Sequence, residues 1–273
     1  MSLYGSLYSG VTALNSFSSG LSVIGNNIAN ANTTGYKSDR AEYSDNFSQM
    51  LSASNTNVNI SQLGTGVNVA AVTSNWSQGD ISDTGIETDL YISGDGFFHL
   101  LDPVTNSDYA TRAGSFILDN QGYLTSASGL RVQGVDTLGA NGTDIQIPTT
   151  VNGLGVLKYA FDETGTLSLY LEDDSVVTAG QISLYEFTNP YGLVNMGSGV
   201  YGGVHSSLVG TVTEDVPGAQ GLGTIIPEAL ELSNVDLTKQ FSDMIITQRA
   251  FQGGSRVITT TDELMEEAIN LKR

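Results

Sequence analysis

Leu7-Tyr-Ser-Gly10-Val11-Thr-Ala-Leu14-Asn-Ser-Phe17-Ser-Ser-Gly20-Leu21-Ser-Val-Ile24-Gly-Asn26-Asn27-Ile28 is the stretch that decides the architecture. Leu7, Leu14, Leu21 and Ile28 recur every seven residues, and Leu3, Val11, Phe17 and Ile24 fill the intervening steps of three and four. That is the period of a helix with one apolar stripe. Over residues 4–30 such a helix is roughly 40 Å long. Its glycines, Gly5, Gly10, Gly20 and Gly25, each cost about 1 kcal/mol relative to alanine, so partners must order it. The first charged side chain in the sequence is Lys37. A solvated helix carries charge on its wet face, so an uncharged one is expected to meet protein on both faces.

The other end answers this pattern. Leu237, Met244, Phe251, Ile258 and Met265 also recur at sevens, joined by Phe241, Ile245, Leu264, Ile269 and Leu271. Ser233 or Asn234 is the expected N-cap; Gly253-Gly254 is the weak point of the run, where adjacent glycines lower helix propensity and Thr260-x-x-Glu263 could cap a restart after a break. Between the ends, short β-prone runs are separated by turn residues: Val67 to Val72, Leu90 to Ile92, Phe97 to Leu101, Gly129 to Val135, Leu154 to Phe161, Leu167 to Leu171 and Gln181 to Phe187. Asp119-Asn-Gln-Gly122 and Asp162-Glu-Thr-Gly165 read as hairpin turns. The fold class is therefore α+β. Residues 1–30 and 234–273 form a terminal helical domain packed like a coiled coil, 31–70 an extended connector, and 71–233 a mainly antiparallel β domain. Two stripes without a large helix between them are satisfied by packing on each other and on neighbouring copies. A self-contained globule with the end helices as an internal hairpin is the plainer alternative.

Composition narrows the function. The chain has 273 residues, 29 acidic against 10 basic side chains, and a formal charge of -19, which repels nucleic acid and anionic lipid. With no cysteine it has no disulfide or thiolate chemistry. No apolar run approaches the ~20 residues of a spanning helix, and a basic start with an apolar block is missing at the N-terminus, so neither membrane insertion nor a cleaved signal is expected. No metal, cofactor or catalytic residues are assigned. The two histidines, His99 and His205, lie in no zinc or nucleophile-elbow spacing. Gly94-Asp95-Gly96 reads as a turn, and Glu172-Asp173-Asp174 as a solvated acidic turn.

The segments Ser9-Gly10-Val11-Thr12-Ala13-Leu14 and Ile24-Gly-Asn26-Asn27-Ile28-Ala29-Asn30-Ala-Asn32-Thr33-Thr34-Gly35-Tyr36-Lys37 resemble the signature of bacterial flagellar rod and hook proteins. The resemblance continues at Ser93 to Phe98, Tyr109 to Phe116, Leu232 to Leu237 and Gln248 to Gln252. Within that family the C-terminal Ser-Asn-Val-Asp-Leu, with Ser255 to Ile258 and Asn270 to Arg273, looks most like the hook protein in a short form, as does a span 41–66 without the connector insertion associated with the distal rod, the distal rod being the alternative. The resemblance implies a non-enzymatic subunit exported through the flagellar type III apparatus and located in the hook or basal body. It also implies assembly with itself into a helical homopolymer, and as neighbours the distal rod, hook cap and hook–filament junction proteins. The expected assembly interface is Leu7, Leu14, Leu21, Ile24, Ile28, Leu237, Phe241, Met244, Ile245 and Phe251. The family-motif positions are Asn26, Asn27, Asn30, Thr34, Gly35, Tyr36 and Lys37. A secreted β-rich adhesin or glycan-binding protein is the reading from another class, and glycan binding would distinguish it.

Overall fold

The computed structural model describes residues 3–46, 48–50, 62–136, 141–151 and 153–271. Helix α1 spans Leu3–Ala29 and helix α2 spans Leu237–Asn270, with antiparallel strands between them, making an α+β protein. The chain divides into two compact units. The first draws on Met1–Ala31, Ser38–Asn75 and Val235–Arg273, the second on Asn32–Lys37 and Trp76–Asn234.

In the first unit the helices are antiparallel. Asn27 meets Gln240, Gly20 approaches Thr247, Ala13 and Leu14 lie beside Gly254, and Gly10 lies beside Ile258. The helix-weakening glycines Gly10, Gly20 and Gly254 are thus points of close approach, which is how packing outweighs their poor propensity. Helix α2 runs unbroken through Gly253-Gly254, and the Thr260 hydroxyl donates back to the Arg256 carbonyl at 2.9 Å instead of capping a restart. Its N-cap is also displaced from the expected Ser233 or Asn234. The Asp236 carboxylate accepts the N–H groups of Thr238 at 2.9 Å and Lys239 at 3.2 Å, satisfying donors that a helix start leaves open. Within the span read as a connector, strand Asp39–Asp45 pairs with Val67–Ser74. Asn55 to Asn59 lie outside the described residues.

The second unit is built on an antiparallel sheet. Its main path runs from Thr150–Val151 through Leu154–Phe161, Thr166–Leu171, Val176–Ile182, Arg131–Val135, Phe97–Leu101, Asp108–Thr111 and Val200–Gly202 to the edge strand Val194–Gly197. Both anticipated hairpins are present. Gly122 (φ 81°) and Gly165 (φ 74°) take the left-handed conformation and donate back to Asp119 and Asp162, each at 2.8 Å. The run Gln181 to Phe187 is not one strand: it divides at Ser183, with Ile182 pairing Gly134 and Leu184 pairing Phe98. Strand Phe97–Leu101 shows why so much of this region reads as continuously apolar. Phe98 and Leu100 enter one cluster with Leu90, Phe116 and Leu124, whereas Phe97 enters an aromatic cluster with Tyr185, Phe187 and Tyr201 on the opposite face. Burial on both faces removes the usual alternation of polar and apolar residues.

Candidate functional site

Three features carry the chemistry of this molecule, one in the first unit and two in the second. On the helix pair, the side of α1 that is buried is made of small and polar residues: Gly10, Ser16, Gly20 and Asn27. Asn27 is held by a two-way bridge to strand Asp39–Asp45, its amide donating to the Asp39 carbonyl at 2.7 Å and its oxygen accepting from the Asp39 N–H at 2.9 Å. Ser16 donates to the Val67 carbonyl at 3.2 Å. The apolar positions expected at the interface behave differently. Leu7, Leu14, Leu21, Ile24, Ile28 and Met244 are half-buried, while Leu237, Phe241, Ile245 and Phe251 are exposed, Ile245 at 59%. Ile246 and Leu264 on α2, and Tyr4 and Tyr8 on α1, are also exposed. A run of large apolar side chains along helices of 27 and 34 residues is surface that one copy leaves in water.

The second feature forms where the motif leaves α1. Asn30 donates to the Asn26 carbonyl at 2.9 Å, closing the last turn. Thr34 and Tyr36 are half-buried, and Gly35 is buried at φ 65°, its α-carbon so close to the chain that a Cβ would sit 2.7 Å from the Ala113 nitrogen. The Gly35 N–H donates to the Glu231 carbonyl at 2.8 Å. Lys37, the first charge in the sequence, ends in a buried ion pair with Glu231 at 2.6 Å and donates also to the Ser77 carbonyl at 2.9 Å. The same Glu231 oxygen accepts the Gly79 N–H at 2.9 Å, and Arg112 lies 3.9 Å from the other oxygen. Arg112 in turn donates to the Gly94 carbonyl at 2.9 Å and lies over the Phe97 ring. Burial pushes the Lys37 ammonium below its ordinary range, against the pull of Glu231. The Arg112 guanidinium is lowered by burial in the same way. Two cations on one carboxylate, all buried, tie the Asn32–Lys37 segment, the Tyr109-to-Phe116 segment and the strand Ala229–Glu231 together. Glu231 was not singled out in the sequence, where it is one acidic residue among many. Its position just before the Leu232-to-Leu237 motif is the only signal.

The histidines, set aside in sequence, converge. His99 Nδ1 lies 3.2 Å from Glu214, its Nε2 lies 3.0 Å from Asp108 and 2.8 Å from the Tyr185 hydroxyl, and His205 reaches the other Asp108 oxygen at 2.8 Å. Burial raises the Tyr185 phenol far above its ordinary range. Burial also resists ionisation of Asp108, but hydrogen bonds from His99 and His205 outweigh it and hold that carboxyl low; a hydrogen bond from His99 holds Glu214 low. Among the described residues, no group of three or more His, Cys, Asp or Glu side chains is arranged to hold a metal ion. The cluster couples Phe97–Leu101, Asp108–Thr111, Leu184–Phe187 and Val212–Asp215 through charge-assisted bonds.

Three family models match, in chain order: the flagella basal body rod protein model over residues 7–37, the flagellar hook protein FlgE/F/G D1 domain over 91–169, and the flagellar basal body rod FlgEFG protein C-terminal model over 226–271. With the end helices and β unit in place, they define the class as a structural protein of the bacterial flagellum. Among curated relatives, the flagellar basal-body rod protein FlgG of Bacillus subtilis (strain 168) is 37% identical, over 98% of this chain and 99% of its own length. FlgG of Borreliella burgdorferi is 32% identical over 92% of each chain. The flagellar hook protein FlgE of the same species is 26% identical, the alignment extending over 442 positions. The chain belongs to the family of flagellar rod and hook proteins. The relatives favour the rod over the hook, reversing the preference drawn from the C-terminal residues. Ser233 to Leu237 and Ser255 to Ile258 fall inside a model that FlgE, FlgF and FlgG share, so they carry the family and not the choice within it.

Proposed function

We propose that this chain is a distal-rod subunit of the flagellar basal body, assembling with copies of itself into a straight, stiff tube that carries torque. The supporting observation is end-to-end correspondence with FlgG at higher identity than with FlgE, whose 442-position alignment to a 273-residue chain demands insertions absent here. Assembly is supported by the uncovered apolar residues of α2, which a neighbouring copy would take out of water. In this reading the role is mechanical and not catalytic, export uses the flagellar type III apparatus without a cleaved signal, and the axial neighbours are other rod proteins and the hook. Electron microscopy of tubes grown from the purified full chain tests it. Straight tubes are expected; curved, flexible tubes would return the assignment to the hook.

A further inference from the structure

Between Glu186 and Glu214 the sequence has no Asp, Glu, Lys or Arg, in a chain of net charge -19. The structure folds this stretch onto one end of the main sheet. Residues 189–192 are strapped to 208–209, with the Asn189 side chain donating to the Leu208 carbonyl at 2.8 Å and the Asn189 N–H to the Val209 carbonyl at 3.0 Å. The edge strand Val194–Gly197 follows, its four residues all exposed and its outer side paired with no other described strand. Val194 lies beside Gly203 and Met196 beside Gly202. Tyr191, Val194, Met196 and Leu208 thus gather on this edge with 57–70% of each side exposed to water.

We propose that this edge is a contact surface for the β unit of a second copy, distinct from the terminal helices. The inference rests on the self-assembly reading above. Its argument is electrostatic: identical chains of charge -19 repel, so β units that abut do so best through surface poor in carboxylates, and the exposed Tyr191, Val194, Met196 and Leu208 lie on a stretch that carries none, the neighbouring Asp108 being bound to His205. An uncovered strand that also presents unpaired backbone groups and apolar side chains is a surface proteins ordinarily blunt with charge, and here the charge is withheld.

The chain has no cysteine, so Leu208→Cys is a single reporter on exposed surface. Its alkylation by a maleimide is measured in the monomer and in the purified full-chain polymer, alongside assembly of Val194→Glu/Leu208→Glu. The expected result is at least tenfold protection of Cys in the polymer, cross-linking to another copy's β unit by a short bismaleimide partner cysteine scan, and loss of assembly in the Glu variant with its monomer still folded by Trp76 fluorescence. Polymer in which the cysteine reacts as in monomer overturns this surface while leaving self-assembly intact. Protection only in whole basal bodies overturns it too, by assigning the edge to a different protein. Failure of wild-type chain to polymerise removes the self-assembly reading and this inference with it.

Discussion

Replacing Glu231 by Gln removes the carboxylate that Lys37 and Arg112 share while keeping an acceptor for the Gly79 N–H. Lys37 then loses its counter-charge and Arg112 keeps the weaker pull of Asp95, with Lys37 and Glu231 each almost wholly excluded from water at 1% and 2% side-chain exposure. Breaking such a pair costs about 3–5 kcal/mol. Lys37→Met is milder, because Arg112 remains 3.9 Å from Glu231. The double variant Lys37→Met/Glu231→Gln should recover part of the loss, since it leaves no unmatched Lys37, giving a coupling of roughly 1–3 kcal/mol in a double-mutant cycle. Urea unfolding followed through Trp76 is the assay. Trp76 is the chain's single tryptophan and packs edge-on against Phe97 and Tyr201, with ring centroids 5.4 Å and 5.1 Å away. Additive single effects, or an Glu231→Gln loss under about 1 kcal/mol, would refute the claim that this junction holds the β unit.

Gly35→Ala should destabilise the same unit by about 1–3 kcal/mol in that assay, because alanine must take φ 65° and press on the Ala113 backbone. On the helices, Gly253→Ala meets open space and should raise the thermal midpoint seen by circular dichroism, by up to about 1 kcal/mol of propensity. Gly10→Ala should gain nothing or lose, as its Cβ falls 2.9 Å from Ile258. Asp108 and Glu214 have lowered folded-state pKa values, so their contribution is present above the unfolded carboxylate range near pH ~4 and is lost as pH falls through their folded values. Acid unfolding monitored by Trp76 should therefore depend less steeply on pH in Asp108→Asn and Glu214→Gln.

The helices were legible because heptad periodicity is a local signal, and hairpins at Gly122 and Gly165 because a positive φ demands glycine. What escaped were features made by distance along the chain. One local feature escaped as well: Asp236, directly before Leu237, caps α2, while Asn234 donates to the Ser77 carbonyl at 2.9 Å. The motif residue Lys37 was visible, but its partner Glu231 lies 194 positions away, and no spacing rule links them. His99, Asp108 and Glu214 likewise meet through strand pairing, and His205 joins them from the turn that follows Val200–Gly202. The apolar stripe predicts a seam both within one helix pair and between copies. The fully buried residues of α1 are Gly10, Ser16, Gly20 and Asn27; Gly10 lies against Ile258 of α2, whereas Ser16 and Asn27 bond the paired strands at Val67 and Asp39, and Phe241 and Ile245 stay exposed.

That exposed side is where assembly through the terminal helices stands or falls. Phe241 is 49% exposed in a single copy, so Phe241→Asp should leave the monomer's β unit intact by Trp76 fluorescence; in a close-packed polymer it buries an unpaired carboxylate at several kcal/mol per copy. Sedimentation of polymer from purified full-chain protein, wild type against Phe241→Asp at equal concentration, measures the difference directly. The account predicts pelletable straight tubes from wild type and a supernatant of folded monomer from the variant. Equal pellets from the two would contradict it.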